Sequence, residues 1–296
     1  MTTKIWVGGG NNNASNGKDW SPTGAPKAGD VLDTQTGTWT MNIRGNELAG
    51  NTLNIGLQNS PTATTPTLNL SHHAKVSLFL PAGTREDITI NVKGSDELTV
   101  NTQTLGGLGG GELTINLGGH AKPGANLNLI NREATITGGK DSLVNAGSNS
   151  LAGSHLQIDT NVDGGSFDIS TVQSVGGYLE FAAADKGSAV TVLGDPDRRV
   201  TSTLQIDEPH AFTGSVALGV LGEVDLQGLL NATSYDLKND ILSIYSGHCI
   251  IDKVDMTLAA NSFPGTYNFM VDQTTTGVVV ARGVSDIIGT ALPVHS

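Results

Sequence analysis

The sequence predicts an all-β protein and, among all-β folds, a right-handed parallel β-helix capped at both ends. Three observations carry that expectation. Glycine fills 39 of 296 positions and charged residues only 15%, against typical shares of about 7% and about 25%. Lys, Glu and Leu are therefore too sparse for solvent-exposed helices, whereas Thr, Val, Ile and Gly suit short strands and turns. About fifteen apolar–polar–apolar triplets recur along the middle of the chain. Two near-identical segments, SHLQID at Ser154–Asp159 and STLQID at Ser202–Asp207, lie 48 residues apart, which is two coils of about 24 residues.

Residues 1–50 hold all three tryptophans, Trp6, Trp20 and Trp39, with the Asn11-Asn12-Asn13 run, and read as an N-terminal cap. Residues 51–231 read as the coils. Their strands centre on Leu53-Asn54-Ile55, Leu68-Asn69-Leu70, Val76-Ser77-Leu78, Ile88-Thr89-Ile90, Leu98-Thr99-Val100 and Leu113-Thr114-Ile115. The rhythm continues through Leu127-Asn128-Leu129, Leu156-Gln157-Ile158, Leu179-Glu180-Phe181 and Leu204-Gln205-Ile206 to Val224-Asp225-Leu226. Each unit alternates an apolar face with a polar one, and pairs such as Gly118-Gly119 and Gly176-Gly177 mark the turns. A β-sandwich is the alternative, but it expects fewer and longer strands joined by hairpins. Residues 232–296 carry three of the four tyrosines and longer strands over 241–246, 249–254 and 277–281, a C-terminal β cap. The whole chain, 1–296, reads as one solenoid domain.

The net charge is −12, with 16 Lys and Arg spread thinly. That argues against a nucleic-acid backbone or an anionic membrane surface as partner. No apolar run is long enough to insert into a membrane, and the MTTKIWVGGG start has no signal-like apolar stretch. The lone cysteine, Cys249, excludes an internal disulfide and is expected in the core.

The segment KIWVGGGNNNASNGKDWSPTGAPKAGD, followed by TGTWTMN, resembles the entry module of autotransporter-like and related bacterial adhesin passengers. The matching positions are Trp6, Gly8, Gly9, Trp20, Pro26, Gly29 and Asp30. The stretch Asp236–Met256 is similar to segments of secreted α-proteobacterial proteins of the same type. The resemblance implies an extracellular or cell-surface structural or adhesive protein, a matrix or filament subunit. Its partner would be itself, with cell-surface or matrix polysaccharide as a further candidate. Trp6, Trp20, Trp39 and Tyr245 are then the assembly or capping residues; the tryptophans could instead stack on sugar rings.

The non-enzymatic reading names no catalytic residue and no cofactor. The alternative is a polysaccharide-binding or depolymerising β-helix, with Asp159, Asp207, Asp168 and Glu180 as its carboxylates. Glycoside hydrolysis needs two carboxyls about 5–10 Å apart, and Asp159 and Asp207 occupy equivalent places two coils apart. The same acids also serve solubility. Asp195 and Asp197, in Asp-Pro-Asp-Arg-Arg, form either a calcium-ligating loop or a turn neutralised by Arg198 and Arg199. The glycine run at 106–111 lacks the Lys-Ser/Thr of a phosphate loop and reads as a turn. His72-His73 and His248-Cys249, read as strand neighbours, point to opposite faces and cannot act as pairs. The Thr/Asn face, with Thr89, Asn91, Thr99, Thr114, Asn116 and Thr135, resembles the ladders of ice-binding solenoids. Its polar residues, however, mix irregularly along the sequence.

Overall fold

Alternation with a period of two turns one side of every short strand inward. Strands of three to seven residues cannot bury that side alone, so they stack. The computed structural model describes residues 2–8, 10–34, 37–55, 65–81, 87–94, 96–102, 111–118, 121–122, 124–138, 141–259, 269–282, 290–291 and 293–294. Most of the glycine run, 106–110, lies outside them. Two compact units result, Met1–Gly147 and Ser148–Ser296, and both are parallel β-solenoid. The only helical structure among the described residues is two 3₁₀ turns, Gly17–Asp19 and Pro209–Ala211.

In the first unit one sheet aligns Leu32, Leu53, Leu78, Val100 and Leu127 in parallel register. A second sheet aligns Met41, Leu68, Ile90, Ile115 and Ile136. None of these ten side chains is more than 2% exposed, so the two columns face each other as a thin continuous core. A corner between the sheets is made by His72 and His73, both left-handed at φ 61° and 60°, joining strand Thr67–Ser71 to strand Lys75–Leu80. The expectation of strand geometry there is corrected, because the chain must turn sharply. At the next corner the fully buried Asp96 accepts the backbone N–H of Ala74 at 2.8 Å and of Lys93 at 3.2 Å.

The second unit repeats the plan with Leu151, Ile169, Val192 and Leu218 in one sheet. Leu156, Leu179, Leu204 and Val224 align in the other. His155 pairs with Tyr178 and Tyr178 with Thr203. The SHLQID and STLQID segments are therefore two rungs apart, as their spacing predicts. Phe167 and Phe181 meet edge to face at 5.3 Å inside.

Parallel stacking starts upstream of residue 51. Strand Thr3–Trp6 pairs with Val31–Thr34, which pairs with Thr52–Asn54, and Thr40–Arg44 pairs with Thr67–Ser71. Leu32-Asp33-Thr34 and Met41-Asn42-Ile43 follow the same alternation of buried and exposed side chains within the Trp- and Asn-rich segment. The open edge of Thr40–Arg44 is covered by Asn12–Ala14, whose backbone bonds both the N–H and the carbonyl of Asn42. In the second unit the parallel order ends in antiparallel pairs. Strand Gly222–Gln227 pairs with Gly277–Arg282, and that with Phe269–Gln273. The ten-residue strand Cys249–Leu258 pairs with Ser215–Leu218 at one end and folds back on Ile241–Ser246 along its length. Cys249 opens that strand just after a tight turn and is exposed, not in the core, because the hairpin tip extends beyond the packed rungs.

Candidate functional site

Each of the two units carries a face of regular polar chemistry. The first lies on the outer side of strands Thr40–Arg44, Thr67–Ser71, Ile88–Lys93, Glu112–Gly118 and Glu133–Gly138. Register places Thr40, Thr67, Thr89, Thr114 and Thr135 in one column. Asn42, Asn69, Asn91, Asn116 and Thr137 form the next. The asparagines make a hydrogen-bonded ladder. Asn69 Nδ2 donates to Asn42 Oδ1 at 2.9 Å, Asn91 to Asn69 at 2.8 Å, and Asn116 to Asn91 at 3.0 Å. The Thr137 hydroxyl completes it by donating to Asn116 Oδ1 at 2.9 Å. Asn69, Asn91 and Asn116 each spend one N–H and one oxygen lone pair on the ladder and keep a second N–H, while Asn42 at its end only accepts. Exposed charges flank the columns: Asp87, Glu112 and Glu133 where the strands begin, Arg44 and Lys93 where they end. The irregularity read along the chain disappears in three dimensions because coils of unequal length, from 21 residues (Ile115 to Ile136) to 27 (Met41 to Leu68), still close in register. Thr99 belongs to the other sheet of this unit, in strand Glu97–Thr102.

The second face is acidic and lies on strands His155–Ile158, Tyr178–Phe181, Ser202–Ile206 and Gly222–Gln227. Gln157, Glu180, Gln205 and Asp225 stack in register, alternating amide and acid. Along single strands Gln157 Nε2 donates to Asp159 at 2.8 Å, Gln205 to Asp207 at 2.7 Å and Gln227 to Asp225 at 2.6 Å. Tyr178 donates its hydroxyl to Gln205 Oε1 and packs edge to face on His155 at 4.5 Å. Burial, then the charges of Asp207 and Asp159, push the Glu180 carboxyl above its ordinary range. Burial and Asp225 do the same for Glu223, and burial and Asp207 for Asp225. The Tyr178 phenol is raised by burial and by Glu180, Asp207 and Asp225.

Of the four carboxylates read as a glycan-active set, Asp159, Glu180 and Asp207 come together here. Asp168 does not. It sits exposed on strand Ser166–Ser170 of the other sheet, between Ser150 and Thr191. Glu223, Asp225 and Tyr178 join the face without having been singled out in the sequence; the two-rung offset of the SHLQID repeat is the signal that finds them. Trp6 and Trp20 are 1% exposed and stacked edge to face at 5.2 Å, inside the N-terminal end and out of reach of a sugar ring. Trp39 is half-buried and its carbonyl accepts the Thr67 N–H at 2.9 Å. Tyr245 is half-buried opposite Ser234. The Asp195 carboxylate accepts from the backbone of Asp197 and Arg198 and from the Arg198 guanidinium at 2.6 Å. The Arg198 bond leads the effects that hold its carboxyl below the ordinary range. Asp195-Pro196-Asp197-Arg198-Arg199 is thus a closed turn. Among the described residues no three His, Cys, Asp or Glu side chains are grouped to hold a metal ion, and no helix is long and apolar enough to cross a membrane.

The fold and these faces define the chain as a parallel β-solenoid with one neutral amide–hydroxyl face and one acidic face. No known family, curated protein or solved structure matches it.

Proposed function

We propose that this chain is a non-catalytic, self-associating structural or adhesive subunit that works outside the cell or at a bacterial cell surface. The observation that carries the reading is the in-register Thr/Asn face. Five rungs present hydroxyls and amides at the strand repeat of about 4.8 Å on a rigid sheet. Such a surface suits another periodic surface rather than a small molecule, which calls for a concave pocket with convergent groups. Among the described residues Asn12–Ala14 covers the edge of Thr40–Arg44, and antiparallel strands follow the last parallel rungs of the second unit, which favours association through a face over backbone addition to a coil. Negative-stain electron microscopy and sedimentation across a concentration series at neutral pH test the reading. Regular assemblies that grow with concentration are the expected result, and a monomer at the highest concentration overturns it.

A second reading rests on Glu180, whose proton affinity is raised between Asp159 and Asp207. A carboxyl that holds its proton more tightly, with further carboxyls beside it, is what the acid of glycoside cleavage requires. It predicts product from acidic glycans that is lost in Glu180→Gln and Asp207→Asn. An inactive wild-type protein on a broad glycan panel removes it.

A further inference from the structure

We infer that the Thr/Asn face of Met1–Gly147 is self-complementary and seats a second copy of this chain about a two-fold axis running along the coil axis. The inference rests on the self-association reading and names the surface and symmetry through which it acts. A face-to-face pair has its two-fold axis in the plane of the face, along the strands or along the coils. An axis along the strands sets the Asp87, Glu112 and Glu133 edge against its own copy, juxtaposing like charges, which disfavours it.

An axis along the coils reverses the strands and keeps rung opposite rung. Centred on Ile90, it brings Asp87 against Lys93 of the second copy, and Lys93 against Asp87. The same operation lays the threonine column on the asparagine column, Thr89 opposite Asn91 and Thr114 opposite Asn116. Each asparagine has one N–H left after its ladder bond, and a threonine hydroxyl accepts it. In the outermost Met41 rung Arg44 falls opposite Thr38, and in the rung next to Ile90 Glu112 falls opposite Gly118, so no like charges meet at those positions. Five rungs about 4.8 Å apart, read over the roughly 20 Å from residue 87 to residue 93, cover about 500 Å² on each copy. A pair therefore buries on the order of 1,000 Å², the lower bound for a specific interface. The contact closes on itself and makes a dimer; larger assemblies add a second contact to it.

Charge exchange tests the geometry. Asp87 and Lys93 are exposed, just before and at the end of strand Ile88–Lys93, and the Asp87 carboxylate accepts the Glu112 backbone N–H at 3.1 Å, so every variant is first checked for folding by circular dichroism and melting. Asp87→Lys and Lys93→Glu each create two like-charge contacts across the axis and are expected to weaken dimerisation, read by sedimentation equilibrium, by at least about tenfold. The double variant, Asp87→Lys with Lys93→Glu, is expected to return to within about threefold of wild type. An equimolar mixture of the two single variants is expected to form a heterodimer. In that pair the introduced lysine of one copy meets the introduced glutamate of the other, and the remaining Lys93 meets the remaining Asp87. A wild type that associates while both single variants associate equally well overturns this face and axis and leaves self-association standing. A wild type that stays monomeric overturns both.

Discussion

Asn91 donates to Asn69 Oδ1 at 2.8 Å and accepts from Asn116 at 3.0 Å, so one amide holds two neighbouring coils. Removing it leaves a donor and an acceptor on a half-buried face without their partner. Asn91→Ala is expected to cost about 1–2 kcal/mol, read as a lower urea midpoint with an unchanged slope. Asn91→Asp is expected to cost more at neutral pH, because a carboxylate still accepts from Asn116 but opposes the Asn69 oxygen. Equal midpoints for wild type and Asn91→Ala would show that the ladder adds nothing to stability.

The acidic face sets a pH dependence with a defined sign. Glu180, Glu223 and Asp225 have raised proton affinities in the fold, chiefly through burial. The folded state then binds protons more tightly than the unfolded chain. Their contribution is fully present below the ordinary carboxylate pKa of about 4 and is lost as pH rises through the raised values. The second unit is expected to resist urea better at pH 5 than at pH 7.5. Glu180→Gln is expected to flatten that difference, since it removes one titrating group and its repulsion with Asp207 and Asp159. An identical slope in the variant and the wild type would remove Glu180 from the account.

The coil stack was legible because its signal is local. Triplets such as Ile88-Thr89-Ile90 declare one buried face within three residues, and the 48-residue repeat declared the rung spacing. The Thr/Asn face was harder to read, since residues as far apart in the chain as Thr40 and Thr135 join one column only through register. That register depends on how each coil distributes its 21 to 27 residues between strands and loops. The same cause hid Asp225 from the acidic set and kept Asp168 in it, since the sheet to which an acid belongs is decided by the corner before it. Cys249 was misplaced because the apolar run Cys249-Ile250-Ile251 reads as buried strand, whereas it lies at the exposed tip of a hairpin.

Asp96 shows how a corner holds its shape. It is fully buried and accepts two backbone N–H groups, from Ala74 one coil away and from Lys93 in its own turn. Asp96→Ala strands both donors away from water, at about 1–3 kcal/mol each. Asp96→Asn keeps one acceptor oxygen and is expected to recover part of the loss. The two variants are compared by urea titration. A loss below about 0.5 kcal/mol in Asp96→Ala would mean that the corner relaxes to admit water.

Trp20 closes the N-terminal end by two means that substitution can separate. Its ring packs against Trp6, and its Nε1 donates to the Ala14 carbonyl at 2.8 Å. Trp20→Phe keeps a ring against Trp6 and drops the hydrogen bond, for an expected loss of about 1–2 kcal/mol. Trp20→Ala also opens a cavity, for about 3–5 kcal/mol. Hydrogen exchange then tells which rungs depend on the cap. In a stack whose rungs touch only their neighbours, stability is a sum of local terms. Lost protection should therefore be concentrated in Thr3–Trp6, Val31–Thr34 and Thr40–Arg44 and fade by Ile88–Lys93. Uniform loss across Met1–Gly147 would mean that the first unit unfolds as one cooperative body, and that the Trp6–Trp20 pair governs every rung of the Thr/Asn face.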